Sequence, residues 1–213
     1  MSDVWSDRAE LYRTSSAHRE GPDLDLIVEW AAGARTALDV ATGGGHVARR
    51  LREAGLEVVT CDPSPGMGAD VRCFAEDLPF ADASFDVTVT RIAAHHFADP
   101  RAAAAELARV ARERVLVVDT LYESEAGEEA ERLHDPSHVR NYSEGEWRGL
   151  LADAGLVVDE VRVVDVAIDF DSWLARTGCT GDDAARVGEL LADRIADRKL
   201  AIRRIAVRAK VHR

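Results

Sequence analysis

No apolar stretch in the 213 residues approaches the roughly 20 needed to cross a bilayer. The opening MSDVWSDRAELYR is charged and lacks the apolar centre of a secretory signal. Cysteine is scarce: Cys61, Cys73 and Cys179 are odd in number and far apart, neither a disulfide framework nor a paired metal-binding motif. Positive charge is short too. Lys and Arg number 27 against 39 Asp and Glu, a formal charge of −12 that repels nucleic acid and anionic membranes. Internal repeats and low-complexity tracts are missing as well. These shortages predict a cytoplasmic globular chain, monomer or homodimer, without nucleic acid or membrane as partner. Its length suits a single α/β domain and is small for a pair of cores.

What is present is 46% hydrophobic residues, arranged as short apolar runs that alternate with helical patterns, the signature of βαβ units. Runs at 36–41, 56–61, 71–74, 85–90 and 114–119 read as parallel strands. Between them lie a helix from His46 that stops at Gly55 and an alanine-rich helix opened by Pro100. Beyond the fifth run come an acidic helix at 123–132 and a helix opened by Ser143 with a capping-box pattern. A strand at 156–168, a short helix around Trp173, a longer one at 182–198 and a strand at 202–211 close the chain. The sum is a doubly wound α/β sheet of seven strands, mostly parallel, with an antiparallel C-terminal strand. We divide this single domain into an N-terminal lid (1–30), a binding core (36–120), a substrate-cover insertion (121–142) and the C-terminal part of the sheet (143–213).

The chemistry centres on DVATGGGHVA, Asp39 to Ala48. Glycines directly after a buried strand let the backbone approach a ligand without a Cβ clash, and the amides of the next helix face that ligand. Gly43, Gly45 and Ala48 also satisfy the dinucleotide pattern, which by itself is a weak signal. Asp62 ends the second run about 20 residues further on, where a carboxylate can accept both hydroxyls of a ribose. The ligand therefore carries a ribose, with adenosine the leading candidate.

D-x-A-x-G-x-G at Asp39 to Gly45 resembles the first motif of the class I S-adenosylmethionine-dependent methyltransferases. AEDLPFADASFD at 75–86 and RIAAHHFADP at 91–100 are similar to the branch that includes ubiquinone and menaquinone methyltransferases. The resemblance is specific over 38–119. It continues more loosely through TSSAH, DPSHVR and FDSW, which are similar to segments of a small bacterial subgroup. It implies a Rossmann-like fold, S-adenosyl-L-methionine as cofactor with S-adenosyl-L-homocysteine as product, and a small-molecule methyl acceptor.

Carried over by position, Asp39, Ala41, Gly43 and Gly45 line the methionyl and ribose side. Asp62 takes the ribose, Pro63 lies against adenine, Ala75 and Glu76 neighbour its edge, and the Arg91 backbone meets the amine. Two positions depart from the family pattern. Ala41 replaces its first glycine, and Phe74 stands where an aspartate often binds the adenine amine; either Phe74 stacks or packs there instead, or Glu76 or Asp77 takes over.

Methyl transfer from a sulfonium is an in-line displacement from an activated donor, so alignment matters most and a general base is optional. His95 and His96 are the candidates for a base or positioning group, since neutral imidazole suits that role near neutral pH. Tyr12, Ser16 and His18 form a candidate lid set, and His138 and Arg140 candidate substrate-cover contacts. His134, Asp135 and His138 are interrupted by Pro136, which breaks helical presentation, so no metal is expected. Trp147, Trp173 and Leu190 read as core. The alternatives are a nicotinamide-dependent oxidoreductase, in which the LPF…SFD element has no role, and a non-catalytic adenosyl-binding protein.

Overall fold

The computed structural model describes residues 4–14 and 19–212, without the side chains of Val4 and Asp7. Its centre is a seven-stranded sheet built from β1 (Thr36–Val40), β2 (Glu57–Cys61), β3 (Phe85–Arg91), β4 (Ala111–Thr120), β5 (Leu156–Asp169), β6 (Ile195–Ala196) and β7 (Lys199–Val211). The order is β2-β1-β3-β4-β7-β5, with β6 paired to β7. From β2 to β4 every pairing is parallel, whereas β7 runs antiparallel to both β4 and β5. Thus β5 shares the sense of the first strands and β7 alone is inserted against it, the mostly parallel sheet expected.

Burial explains the inner strands. β3 is buried at every position and β1 at all but its first, as a parallel strand covered on both faces requires. One face is covered by α2 (Pro22–Trp30) and α3 (His46–Glu53), which set Leu24, Ile27, Trp30, Val47 and Leu51 against Val87, Val89 and Leu116. The other is covered by α4 (Pro100–Val110) and α6 (Glu144–Asp153), with Leu107, Trp147 and Leu151 in its core. A separate cluster joins α5 (Glu125–His134), α7 (Phe170–Thr177) and α8 (Gly181–Leu190) around Trp173, Val187 and Ile202. Helix α1 (Val4–Thr14) lies across the carboxyl ends of the strands.

Helix starts follow their sequence signals. Asp99 accepts the amides of Arg101 and Ala102 at the head of α4, and Ser143 and Glu146 form the reciprocal box of α6. Two elements differ from expectation. Residues 71–74 form no strand; Val71 makes a single parallel bridge to Cys61. The helix expected over 182–198 ends at Leu190; a 3-10 turn (Ala192–Arg194) leads into β6, and Asp197 (φ 49°) and Arg198 (φ 60°) then turn the chain back into β7.

Candidate active site

β1 ends between β2 and β3, where the strand order reverses. Ligands of open α/β sheets sit beyond the carboxyl ends at such a switch, and a cavity of about 590 Å³ opens there.

β1 delivers Asp39, only 1% exposed. Its Oδ2 accepts both the Thr42 hydroxyl at 2.6 Å and the Ala48 amide at 3.0 Å. Burial nevertheless lifts its pKa from 3.8 to about 6. After Asp39 the chain turns through Ala41 (φ 55°) and Gly43 (φ 53°), and a Cβ on Gly43 would face open space. Gly44 has no such room: its Cβ would stand 2.8 Å from His46 Nε2 and 3.0 Å from the Tyr12 carbonyl oxygen. The loop is therefore pressed against α1. Gly45 (φ 75°) caps α3 and falls outside the cavity lining.

β2 delivers Asp62, which clamps that loop. Oδ2 accepts the Gly43 amide at 3.0 Å and Oδ1 the Ser64 amide at 2.9 Å. Pro63, Ala75, Glu76 and Asp77 continue the wall, and Phe74 stands 66% exposed at its rim. Glu76 is committed elsewhere, since its Oε1 accepts the amides of Ala98 at 2.9 Å and Asp99 at 3.3 Å.

β3 delivers Arg91 to the lining, with its Nε donating to Asp23 at 2.5 Å while Arg204 meets the same carboxylate at 3.1 Å. Burial alone would raise the Asp23 carboxyl, but Arg204 and Arg91 hold it below its ordinary value. The Ile92 amide donates to the Val118 carbonyl at 2.7 Å.

His96 lines the cavity against the edge of Trp5, ring centroids 4.6 Å apart. Its Nδ1 donates to the Ser137 carbonyl at 3.0 Å, so Nε2 is the acceptor nitrogen. Burial, and then the neighbouring His95, hold its pKa well below the imidazole range. His95 is bound twice by Asp119, Nδ1 at 2.6 Å and the backbone amide at 2.9 Å. Burial would lower its pKa, but Asp119 raises it, helped by Glu131 and Asp135.

His95 faces a second cavity of about 50 Å³, which shares Tyr12, Ile92 and His96 with the first. His138 lines the second cavity and donates from Nε2 to Glu128 at 3.2 Å. Arg140 reaches neither cavity, being paired with Glu146 at the surface. Ser16 and His18 lie outside the described residues. Of the aromatic positions read as core, Trp147 and Trp173 are each 3% exposed. Among the described residues, no group of three or more His, Cys, Asp or Glu is set to hold a metal ion, and no helix is long and apolar enough to cross a membrane.

Sequence reasoning had not singled out Trp5, Thr42, Met67, Phe97 or Asp119. The first four line the large cavity and the last anchors His95. The HHF run signalled Phe97, but nothing in the sequence marked Asp119 beyond its place at a strand end.

A profile of the methyltransferase domain family matches residues 38–118. The chain is 33% identical over 202 residues to the uncharacterised methyltransferase YcgJ of Bacillus subtilis (strain 168), covering 84% of this chain and 80% of that protein. The YcgJ crystal structure superposes with a TM-score of 0.79 at 26% identity, over 90% of this chain and 98% of that one. A crystal structure of a methyltransferase-like protein from Bacillus halodurans gives 0.76 at 26% identity, over 89% and 99%. The uncharacterised protein YafE of Escherichia coli (strain K12) is 39% identical over 110 residues, 48% of this chain and 53% of that protein.

Proposed function

The chain belongs to the class I S-adenosylmethionine-dependent methyltransferases, and on that premise we propose that its large cavity holds S-adenosylmethionine for methyl transfer to a small-molecule acceptor. The carrying observation is the pair of buried carboxylates, Asp39 and Asp62, at adjacent strand ends on one cavity wall. Burial lifts the Asp39 carboxyl to about 6; the ammonium of a methionyl group beside it would favour its charged form. Asp62 holds the glycine loop through one oxygen and the next turn through the other, and from the cavity wall it offers a carboxylate to the ribose hydroxyls. Ala41 and Gly43 give the backbone its close approach, Pro63 and Ala75 flank the adenine side, and the Arg91 backbone meets the amine. The residues present fit the cofactor, which when bound supplies the activated methyl group.

For the acceptor, Trp5 and Tyr12 of α1 and Phe97 exclude water from the cavity. His96 is neutral at physiological pH and a weak proton acceptor. We assign it to positioning, with Nε2 accepting a hydrogen bond from the nucleophile's O–H or N–H. His95 and Asp119 fix the segment that carries it. The nicotinamide reading is disfavoured by the residue 75–86 element, which frames the adenine wall with Ala75 and Asp77.

Calorimetric titration with S-adenosylmethionine and S-adenosylhomocysteine tests the reading. Micromolar binding by the wild type and a loss of about 100-fold in Asp62→Ala are expected, since a buried charged acceptor serving several donors is removed. NADH binding without S-adenosylmethionine binding would refute it.

A further inference from the structure

We propose that the smaller cavity behind His96 and Tyr12 receives a hydroxyl group of the methyl acceptor, one that is not itself methylated. The acceptor is then an uncharged molecule with a hydroxyl in addition to its nucleophile. The proposal rests on the methyltransferase reading of the larger cavity, with which this one shares Tyr12, Ile92 and His96. At about 50 Å³ it has room for one such group, a water occupying about 30 Å³.

Two lining residues keep a buried atom without a hydrogen-bond partner, and the two atoms are of opposite kinds. Arg176 has a buried Nε–H that finds no acceptor among the described residues. Its guanidinium carbon stands 5.7 Å from the centroid of the Tyr12 ring, which both cavities share. The second atom is Nδ1 of His134, a residue 3% exposed that stacks on Trp173 at 3.6 Å. His134 Nε2 stands 2.8 Å from the Trp173 carbonyl oxygen, which can only accept, so Nε2 carries a hydrogen. Nδ1 lies 3.7 Å from Glu131 Oε2, too far for a hydrogen bond, so it carries the lone pair and lacks a donor. Leaving a buried donor or acceptor unpaired costs the folded chain its full desolvation penalty. A hydroxyl accepts one bond and donates one, which satisfies Arg176 and His134 together.

Charge in the lining selects a neutral group. Glu131 and Asp135 set two carboxylates there against the guanidiniums of Arg176 and Arg204. Asp135 Oδ1 is already taken by the Ser137 amide at 3.0 Å and hydroxyl at 2.6 Å, and Arg204 is held by Asp23 at 3.1 Å. An ammonium would stand beside two arginines and a carboxylate beside two acids, each stripped of its hydration in a space of this size. A hydroxyl is repelled by neither set and, with both bonds made, loses little on leaving water. Ile92, Ile168 and Ile202 add apolar surface against the carbon that bears it.

The test is a calorimetric titration of meta-methoxybenzyl alcohol, at neutral pH, into protein saturated with S-adenosylhomocysteine. Its methyl ether stands for a completed transfer, so its one hydroxyl is free for the smaller cavity. The controls are the toluene, benzylamine and benzoate with the same methoxy group. The alcohol is expected to bind about tenfold more tightly than any of the three, the effect of one matched donor and acceptor. Arg176→Met should bring the alcohol down to the level of the toluene while leaving S-adenosylhomocysteine affinity as in the wild type, which also reports that the variant folds. If it does not fold, the Arg176 Nε–H resonance of the wild type decides, moving with the alcohol and staying still with the toluene. Alcohol and toluene binding equally, which would leave the cavity to a water, overturns the proposal. So does preference for the amine or the benzoate, no binding of any probe, or an alcohol preference indifferent to Arg176→Met. Failure of S-adenosylhomocysteine to bind would instead count against the cofactor reading, and the same titrations repeated without it still judge the smaller cavity.

Discussion

Asp39→Asn is expected to make the ligand-free protein more stable and the cofactor site weaker. The wild-type carboxyl titrates near 6 against an ordinary 3.8, which at neutral pH corresponds to about 3 kcal/mol of unfavourable ionisation in the folded state. Asparagine removes that charge without breaking the local bonds. The Thr42 hydroxyl and the Ala48 amide both donate to Oδ2, so an amide oxygen there keeps both. The gain at pH 7 is then up to about 3 kcal/mol, roughly 6–12 °C in Tm for a domain of this size. The sign with pH follows from a folded pKa above the unfolded one. Wild-type Asp39 is penalised above about 6, sheds the penalty as it protonates on acidification, and matches the variant near 3.8. The Tm difference should shrink from pH 7 to pH 4 accordingly, by scanning fluorimetry. In the same assay the Tm rise produced by S-adenosylhomocysteine should fall in the variant, reflecting roughly 10- to 100-fold lost affinity with the charged hydrogen bond to the methionyl amine. A variant less stable than wild type at pH 7, or a difference that does not change with pH, would refute the reasoning.

Phe74→Asp restores a carboxylate at the adenine wall. Because Phe74 is 66% exposed, the change should leave Tm unaltered and tighten S-adenosylhomocysteine binding by about threefold to tenfold in calorimetry; unchanged or weaker binding counts against that role for the position. His96→Ala should lower kcat by roughly 10- to 100-fold with cofactor affinity held within about twofold. The pH profile of the residual activity between 6 and 8 should keep the wild-type shape, because His96 is already neutral there. An unchanged kcat in this variant removes His96 from the reaction.

The glycine loop, Asp62 and the 75–86 segment were legible because each couples a residue type to a strand end, and a parallel sheet collects strand ends at one edge. Residues 71–74 misled because VRCF has strand composition while its backbone is diverted after one bridge at Val71. The turn at Asp197 and Arg198 was hidden because neither residue is a glycine, the usual mark of a positive φ. Arg140 looked like a substrate contact by composition. In three dimensions its amide and that of Val139 both bind the His95 carbonyl, at 3.1 and 2.8 Å, while its guanidinium pairs with Glu146. The His95–Asp119 pair joins residues 24 apart in sequence, a separation at which no periodicity links them. Such pairings depend on which strand ends become neighbours, and only the folded sheet decides that.

Helix α1 is fastened to the body by a handful of polar contacts. Ser6 Oγ meets the Gly66 amide at 2.8 Å and the Ser64 hydroxyl at 3.0 Å, Arg13 donates to the Gly66 carbonyl at 2.6 Å, and the Tyr12 carbonyl takes His46 Nε2 at 2.9 Å. Trp5 and Tyr12 on this helix wall the large cavity, and Tyr12 the small one as well. On the function proposed above, the spent cofactor and the methylated product would both leave past this helix. Ser6→Ala, which removes the hydrogen bond to the Gly66 amide, is expected to hasten the departure of both molecules; unchanged release rates would count against this role for the helix.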